Sequence, residues 1–101
     1  MPSQYIDELR NVIRKLHGVE AKHVQSVPVK EIYQDKTIWD GVVEVFDLIG
    51  HPKSRRIYAW SHETEGEKKR HVTVLHLGPV DTPKAAVMAA IVQEFRNAEE
   101  S

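Results

Sequence analysis

Residues 37–63 read TIWDGVVEVFDLIGHPKSRRIYAWSHE, and this stretch decides the fold. Residues 37–48 and 55–63 are rich in β-branched and aromatic side chains, which marks both segments as strands. The loop between them, Ile49-Gly50-His51-Pro52-Lys53-Ser54, is too short for a crossover, so the two strands run antiparallel. Successive strand residues point to opposite faces. Val43 and Val45 therefore oppose Val42, Phe46 and Leu48, while Ile57 and Ala59 oppose Tyr58, Trp60 and His62. Both faces of the sheet carry apolar surface, although an antiparallel sheet ordinarily keeps one face polar. Gly41 inside the first of these strands marks a bulge or a close backbone approach.

C-terminal to this stretch, a polar connection at residues 64–69 contains Gly66. Residues 70–77, RHVTVLHL, form another strand, with Val72, Val74 and His76 opposing His71, Thr73, Leu75 and Leu77. Gly78-Pro79 ends it. Thr82 then N-caps a helix whose N1 residue is Pro83, where the missing N–H costs nothing. The helix extends to about Asn97. Ala85, Met88, Val92 and Phe95 form one apolar stripe, and Val87, Ala90 and Ile91 lie round the side. A helix apolar over more than half its girth needs more than one neighbour.

On the N-terminal side, residues 23–33, HVQSVPVKEIY, read as a strand with Val27, Val29 and Tyr33 on one face. Pro28 cannot donate to a ladder, so this strand belongs at an edge or carries a bulge. Gln34-Asp35-Lys36 is a turn. Residues 3–17 form an amphipathic helix with Ile6, Leu9, Val12, Ile13 and Leu16 on its stripe. Ser3 suits the N-cap, Asp7 and Glu8 the positive end of the dipole, and Gly18 the C-terminal turn. The expected fold is a single α+β domain over residues 1–101. Its order is α-β-β-β-β-α, with a four-stranded antiparallel sheet and two helices packed on one face.

Composition narrows the functional classes. The chain has no cysteine, which excludes disulfides, thiolate metal sites and a thiol nucleophile. The longest apolar run, Ala85 to Val92, is far short of a membrane span, and the N-terminus lacks an apolar signal region. A cytoplasmic protein that does not engage membranes is expected. Fourteen basic residues against fifteen acidic ones lack the basic excess of a duplex binder. The six histidines exceed the roughly two expected of a chain this size.

Four groups of residues could carry chemistry. His51, Lys53, Arg55 and Arg56 form a basic loop at one end of the sheet, where the N-terminus of the last helix and Lys84 should lie. This group suits a phosphate or carboxylate. His62 and His71 flank the last hairpin, and if they stand opposite each other they emerge on one face beside Trp60. Two imidazoles do not complete a metal site, and no HxH or HExxH spacing supplies a third ligand. Tyr58 and Trp60, with Trp39 on the preceding strand, could stack a planar ligand, but strand aromatics more often belong to a core or interface. Asp40, Glu44 and Asp47 dot the second strand as candidate paired carboxylates, and Glu44, between Val43 and Val45, could be buried. There is no nucleophile elbow, P-loop or dinucleotide fingerprint, so no cofactor is expected.

Residues 37–63 followed by 70–92, RHVTVLHLGPVDTPKAAVMAAIV, resemble a group of small bacterial α+β proteins. The shared features are a Trp-acidic-Gly-x-Val-Glu-Val-Phe strand, a Gly-His-Pro loop and a Tyr-Ala-Trp strand, over roughly residues 24–95. No activity is assigned to those proteins, so the resemblance implies none. A second likeness is to double-stranded RNA-binding domains, which have α-β-β-β-α order, a Gly-Pro-x-His loop and a lysine-rich start to the last helix. Here the loop reads Gly50-His51-Pro52-Lys53 and the helix starts with the single Lys84, so most of that family's phosphate clamp is missing. The first expectation for function is a non-enzymatic interaction module that buries its second apolar face as a homodimer. The alternatives are a small-ligand or anion-binding protein, with or without catalysis, built on the 50–56 loop, and an RNA-binding module using the same cations.

Overall fold

The computed structural model describes residues 2–63 and 69–100, with side chains for residues 4–61 and 70–93. The connection expected at 64–69 lies outside the described residues except for Lys69, as do the side chains of Ser3, His62 and Phe95. The elements are α1 (Pro2–His17), β1 (Glu20–Tyr33), β2 (Lys36–Ile49), β3 (Arg56–Glu63), β4 (Lys69–Leu75) and α2 (Pro83–Glu100). The strands form one antiparallel sheet in the order β1-β2-β3-β4. Element order and sheet are as the sequence implies, and Pro28 does sit on an edge strand. None of the described helices is long and apolar enough to cross a membrane.

Element boundaries shift by one to three residues from expectation, and β4 ends at Leu75 instead of Leu77. α1 starts at Pro2, so Ser3 is inside the helix and proline takes the first turn. β1 starts at Glu20, because Ala21 is buried opposite Leu48 and extends the ladder toward α1. The start of α2 is as read: Thr82 Oγ1 accepts the Ala85 N–H at 3.1 Å, and the Thr82 carbonyl accepts the Ala86 N–H.

The expectation that both helices pack on one face is corrected. α1 places Leu9 and Ile13 against Ala21, Phe46, Leu48, Ile57 and Ala59. α2 places Ala86 and Val87 against Val29, Val43, Val45, Tyr58 and Trp60. These sets alternate along β2 and β3, so the helices cover opposite faces. The reason is energetic. Each face holds several fully buried side chains, and each is worth about 1.5–3 kcal/mol once removed from water. The inward stripe of α2 is also rotated from the expected one. Ala86, Val87, Ala90 and Ile91 face the sheet, leaving Met88 and Val92 exposed. The two alanines in this stripe let the helix approach bulky Tyr58 and Trp60 closely.

β2 and β3 pair only from Glu44↔Ala59 to Asp47↔Arg56, whereas β1 and β2 stay paired out to Tyr33↔Lys36. The distal β1–β2 hairpin therefore continues as a two-stranded arm past the last β2–β3 pair. At the parting point α1 supplies a substitute partner. The Ser61 N–H, which by ladder alternation faces β2, donates instead to the Tyr5 hydroxyl at 2.9 Å. Just beyond the β1 register shift between His23 and Gln25, buried Glu44 accepts from Ser26 Oγ and lies 2.9 Å from His23 Nε2. Tyr5→Phe removes the acceptor at Ser61 while keeping the ring. The expected cost is about 1–3 kcal/mol in chemical denaturation, with an unchanged fold by circular dichroism.

Candidate functional site

The end of the sheet where β2 turns into β3 carries the richest polar chemistry. Gly50 opens the turn at φ 84°, a conformation that side chains with a Cβ rarely adopt. His51 then closes the turn on itself. Its Nδ1 accepts the N–H groups of Lys53, at 3.1 Å, and Ser54, at 3.0 Å. A nitrogen that accepts two amides carries no proton, so His51 is the Nε2–H tautomer, with that donor facing away from the turn.

Buried Ser54 ties this loop to two strands. Its Oγ lies 2.8 Å from the Arg56 carbonyl and 3.0 Å from the His76 carbonyl, and it accepts the Arg56 N–H at 3.3 Å. One hydroxyl thus joins the loop, β3 and the residue following β4. The chain beyond is fixed too, since the His76 N–H donates to the Arg56 carbonyl and the Leu48 N–H to the Arg55 carbonyl.

On this frame His51, Lys53, Arg55, Arg56, Asp47 and His76 line one open cavity of about 940 Å³. Three cations face one carboxylate. Arg56 Nε lies 3.2 Å from Asp47 Oδ1, an exposed pair worth about 0–1 kcal/mol and open to displacement. Tyr58 Oη and His76 Nδ1 are 2.6 Å apart. Burial raises the Tyr58 pKa, nearby Arg56 lowers it, and Asp81 raises it. The phenol therefore keeps its proton, and it shares this hydrogen bond with His76 Nδ1 as an intact hydroxyl.

Of the expected site residues, the structure brings together His51, Lys53, Arg55 and Arg56. Lys84 is exposed on the first turn of α2 and is not among the cavity's lining residues. The residue that this end of the chain brings near Tyr58 is the acidic Asp81. The sequence reading missed His76 and Ser54, and it named Asp47 only as a strand carboxylate, not as a partner of the basic loop. The parity of His76 with Val72 and Val74 already put it on the face of Tyr58, but Ser54 carries no local signal.

The paired-histidine expectation is corrected. His71 stands opposite Ser61 and His62 opposite Arg70, so the two are not cross-strand partners. His71 Nε2 lies 2.8 Å from Glu8 Oε1 on α1, while Tyr58 and Trp60 are buried under α2. Glu63 pairs with Lys69 along the backbone, a register shifted one residue from that pairing. The described residues contain no group of three or more acidic or histidine side chains placed to hold a metal. Comparison with protein-family models, with curated proteins and with solved structures finds no match.

A histidine pair does form elsewhere. His17, at the end of α1, meets His51 edge to face with ring centroids 5.9 Å apart. The His17 pKa is lowered, first by burial and then by His51. The folded state thus resists a proton that the unfolded chain takes up near 6.5. The resulting stabilisation is complete above that pH and is lost as pH falls through it toward the lower folded value. The melting temperature is expected to drop on acidification from about pH 7.5 to about pH 5.5, and His17→Gln to reduce that drop.

Proposed function

We propose that the protein binds a small anionic ligand, with a phosphate or carboxylate group, in the cavity at the sheet end. The observation that carries this reading is the convergence of Lys53, Arg55 and Arg56 on one concave surface. Guanidinium groups bind such anions through paired, charge-assisted hydrogen bonds. The bonds of His51 and Ser54 hold the loop in place before a ligand arrives, which lowers the ordering cost of binding. An incoming anion would take Arg56 from Asp47. Nothing in this reading requires catalysis.

Inorganic phosphate, at ionic strength matched with sodium chloride, is expected to raise the melting temperature. Arg56→Ala should abolish that rise while costing the ligand-free protein no more than about 1 kcal/mol. An unchanged melting temperature in wild type would remove the reading. Salt-sensitive retention on duplex RNA in place of a phosphate effect would favour the RNA alternative.

A second reading, the homodimer, has support from the arm. Its original motive, an uncovered second sheet face, is met by α2. The arm nevertheless exposes Ile32 (60%), Tyr33 (63%), Ile38 (43%) and Val42 (44%). It also carries both charge signs, with Lys30 and Lys36 against Asp35 and Asp40, which suits a two-fold contact between like surfaces. Light scattering across a hundredfold range around about 10 μM should give twice 11.6 kDa, and Ile38→Lys should return the monomer. A monomer at every concentration would end this reading.

A further inference from the structure

At the far end of the α2 face from the anion cavity, Glu31 is only 8% exposed, and its Oε1 has no hydrogen-bond partner among the described residues. An orphaned oxygen of this kind costs about 1–3 kcal/mol, and more if the group is charged. Something must compensate it. We infer that Glu31, with Trp39 and Trp60, is a binding site for a small alkylammonium ion.

The argument starts from register. Glu31 is the cross-strand partner of Trp39, so their side chains leave the same face of the hairpin about 4.5–5.5 Å apart at Cβ. Trp39 lies over Gly41, where an added Cβ would come within 3.2 Å of the indole. The same ring meets Trp60 edge to face at 5.6 Å. A carboxylate therefore stands beside one indole that itself meets a second, in an apolar setting shared with Val29 and Val43.

That combination selects the ligand's chemistry. The carboxylate calls for a positive charge. The indole faces attract a cation through their quadrupole, tryptophan most strongly of the aromatics. A hard metal ion would want several oxygen or imidazole ligands, and the described residues offer no such group. An alkylammonium ion satisfies both demands, with its charge on Glu31 and its methyl or methylene groups on the rings.

Access follows from the parting of β2 and β3. Trp39 and Trp60 lie beyond the last β2–β3 pair, Glu44↔Ala59. The indoles can therefore separate without breaking a hydrogen bond between these strands.

The test is a titration of tryptophan emission with tetramethylammonium chloride and, separately, methylammonium chloride. Sodium chloride at equal ionic strength and the neutral analogue tert-butanol serve as controls. A saturable change with at least one ammonium ion and with neither control is expected. Glu31→Gln, which keeps the side-chain shape, should weaken it about tenfold or more, since each tenfold is the loss of one modest charge interaction. Trp39→Leu should weaken it too, and it gives a second route should Glu31→Gln fail to fold. No saturable response, an equal response to tert-butanol, or unchanged affinity in Glu31→Gln would each overturn the inference. The phosphate response at the other end of the sheet is independent of every one of these outcomes.

Discussion

In β3 the consecutive side chains of Ile57, Tyr58, Ala59 and Trp60 are all buried, and strand alternation sends them to both sides of the sheet. The rest of the architecture depends on this. A sheet with apolar side chains on both faces cannot leave either one in water, so each face needs its own cover. With two helices available, one on each side is the arrangement that buries both within a single chain. β3 is thus the shared wall of two separate apolar clusters, and a change at Tyr58 is felt by α2 while a change at Ile57 is felt by α1.

The same division sets where polar chemistry can lie. The interior of the sheet is occupied, so functional groups gather where the ladders end. At the β2–β3 turn the backbone is held by Ser54 and by the imidazole of His51, and the cations project from a fixed frame. The pair Tyr58 and His76 shows how the two roles meet. The phenol ring fills the α2 core while its hydroxyl reaches the cavity edge through the histidine. Burial keeps that phenol protonated, so the core meets the cavity edge through a neutral hydroxyl.

Strand parity, the N-cap at Thr82 and the edge position of β1 are legible in the sequence because each rests on local physics: alternation, capping and the missing N–H of Pro28. The basic loop is legible for the same reason, since its cations are neighbours in the chain. The distribution of the helices follows from parity as well, but only if both apolar faces are given equal weight. The habit of leaving one antiparallel face polar argues the other way. What local pattern does not carry is register. A shift of one residue in the last hairpin moves His71 from a partnership with His62 to one opposite Ser61, and so to Glu8 on the other side of the sheet. The roles of Ser54 and Asp47 were beyond reach for a related reason. The role of Ser54 depends on His76 arriving beside it from 22 residues away, and that of Asp47 on the β2–β3 register that sets it opposite Arg56.

The irregularities of the fold share a logic that bears on Glu31. Where β1 slips register after His23, Glu44 accepts from Ser26 and meets His23. Where β2 leaves β3, the Tyr5 hydroxyl takes up the Ser61 N–H. Where β2 turns into β3, His51 Nδ1 and Ser54 Oγ serve the backbone groups that no ladder reaches. Each departure from regular pairing has been closed by a side chain, as buried polar groups require. The remaining register shift in β1 falls between Glu31 and Ile32, and there the pattern is reversed. The side chain at that point brings an unpaired oxygen into an aromatic setting instead of satisfying one. In a fold that closes its other irregularities internally, a polar atom left open beside the Trp39 indole is where a partner from outside the chain belongs.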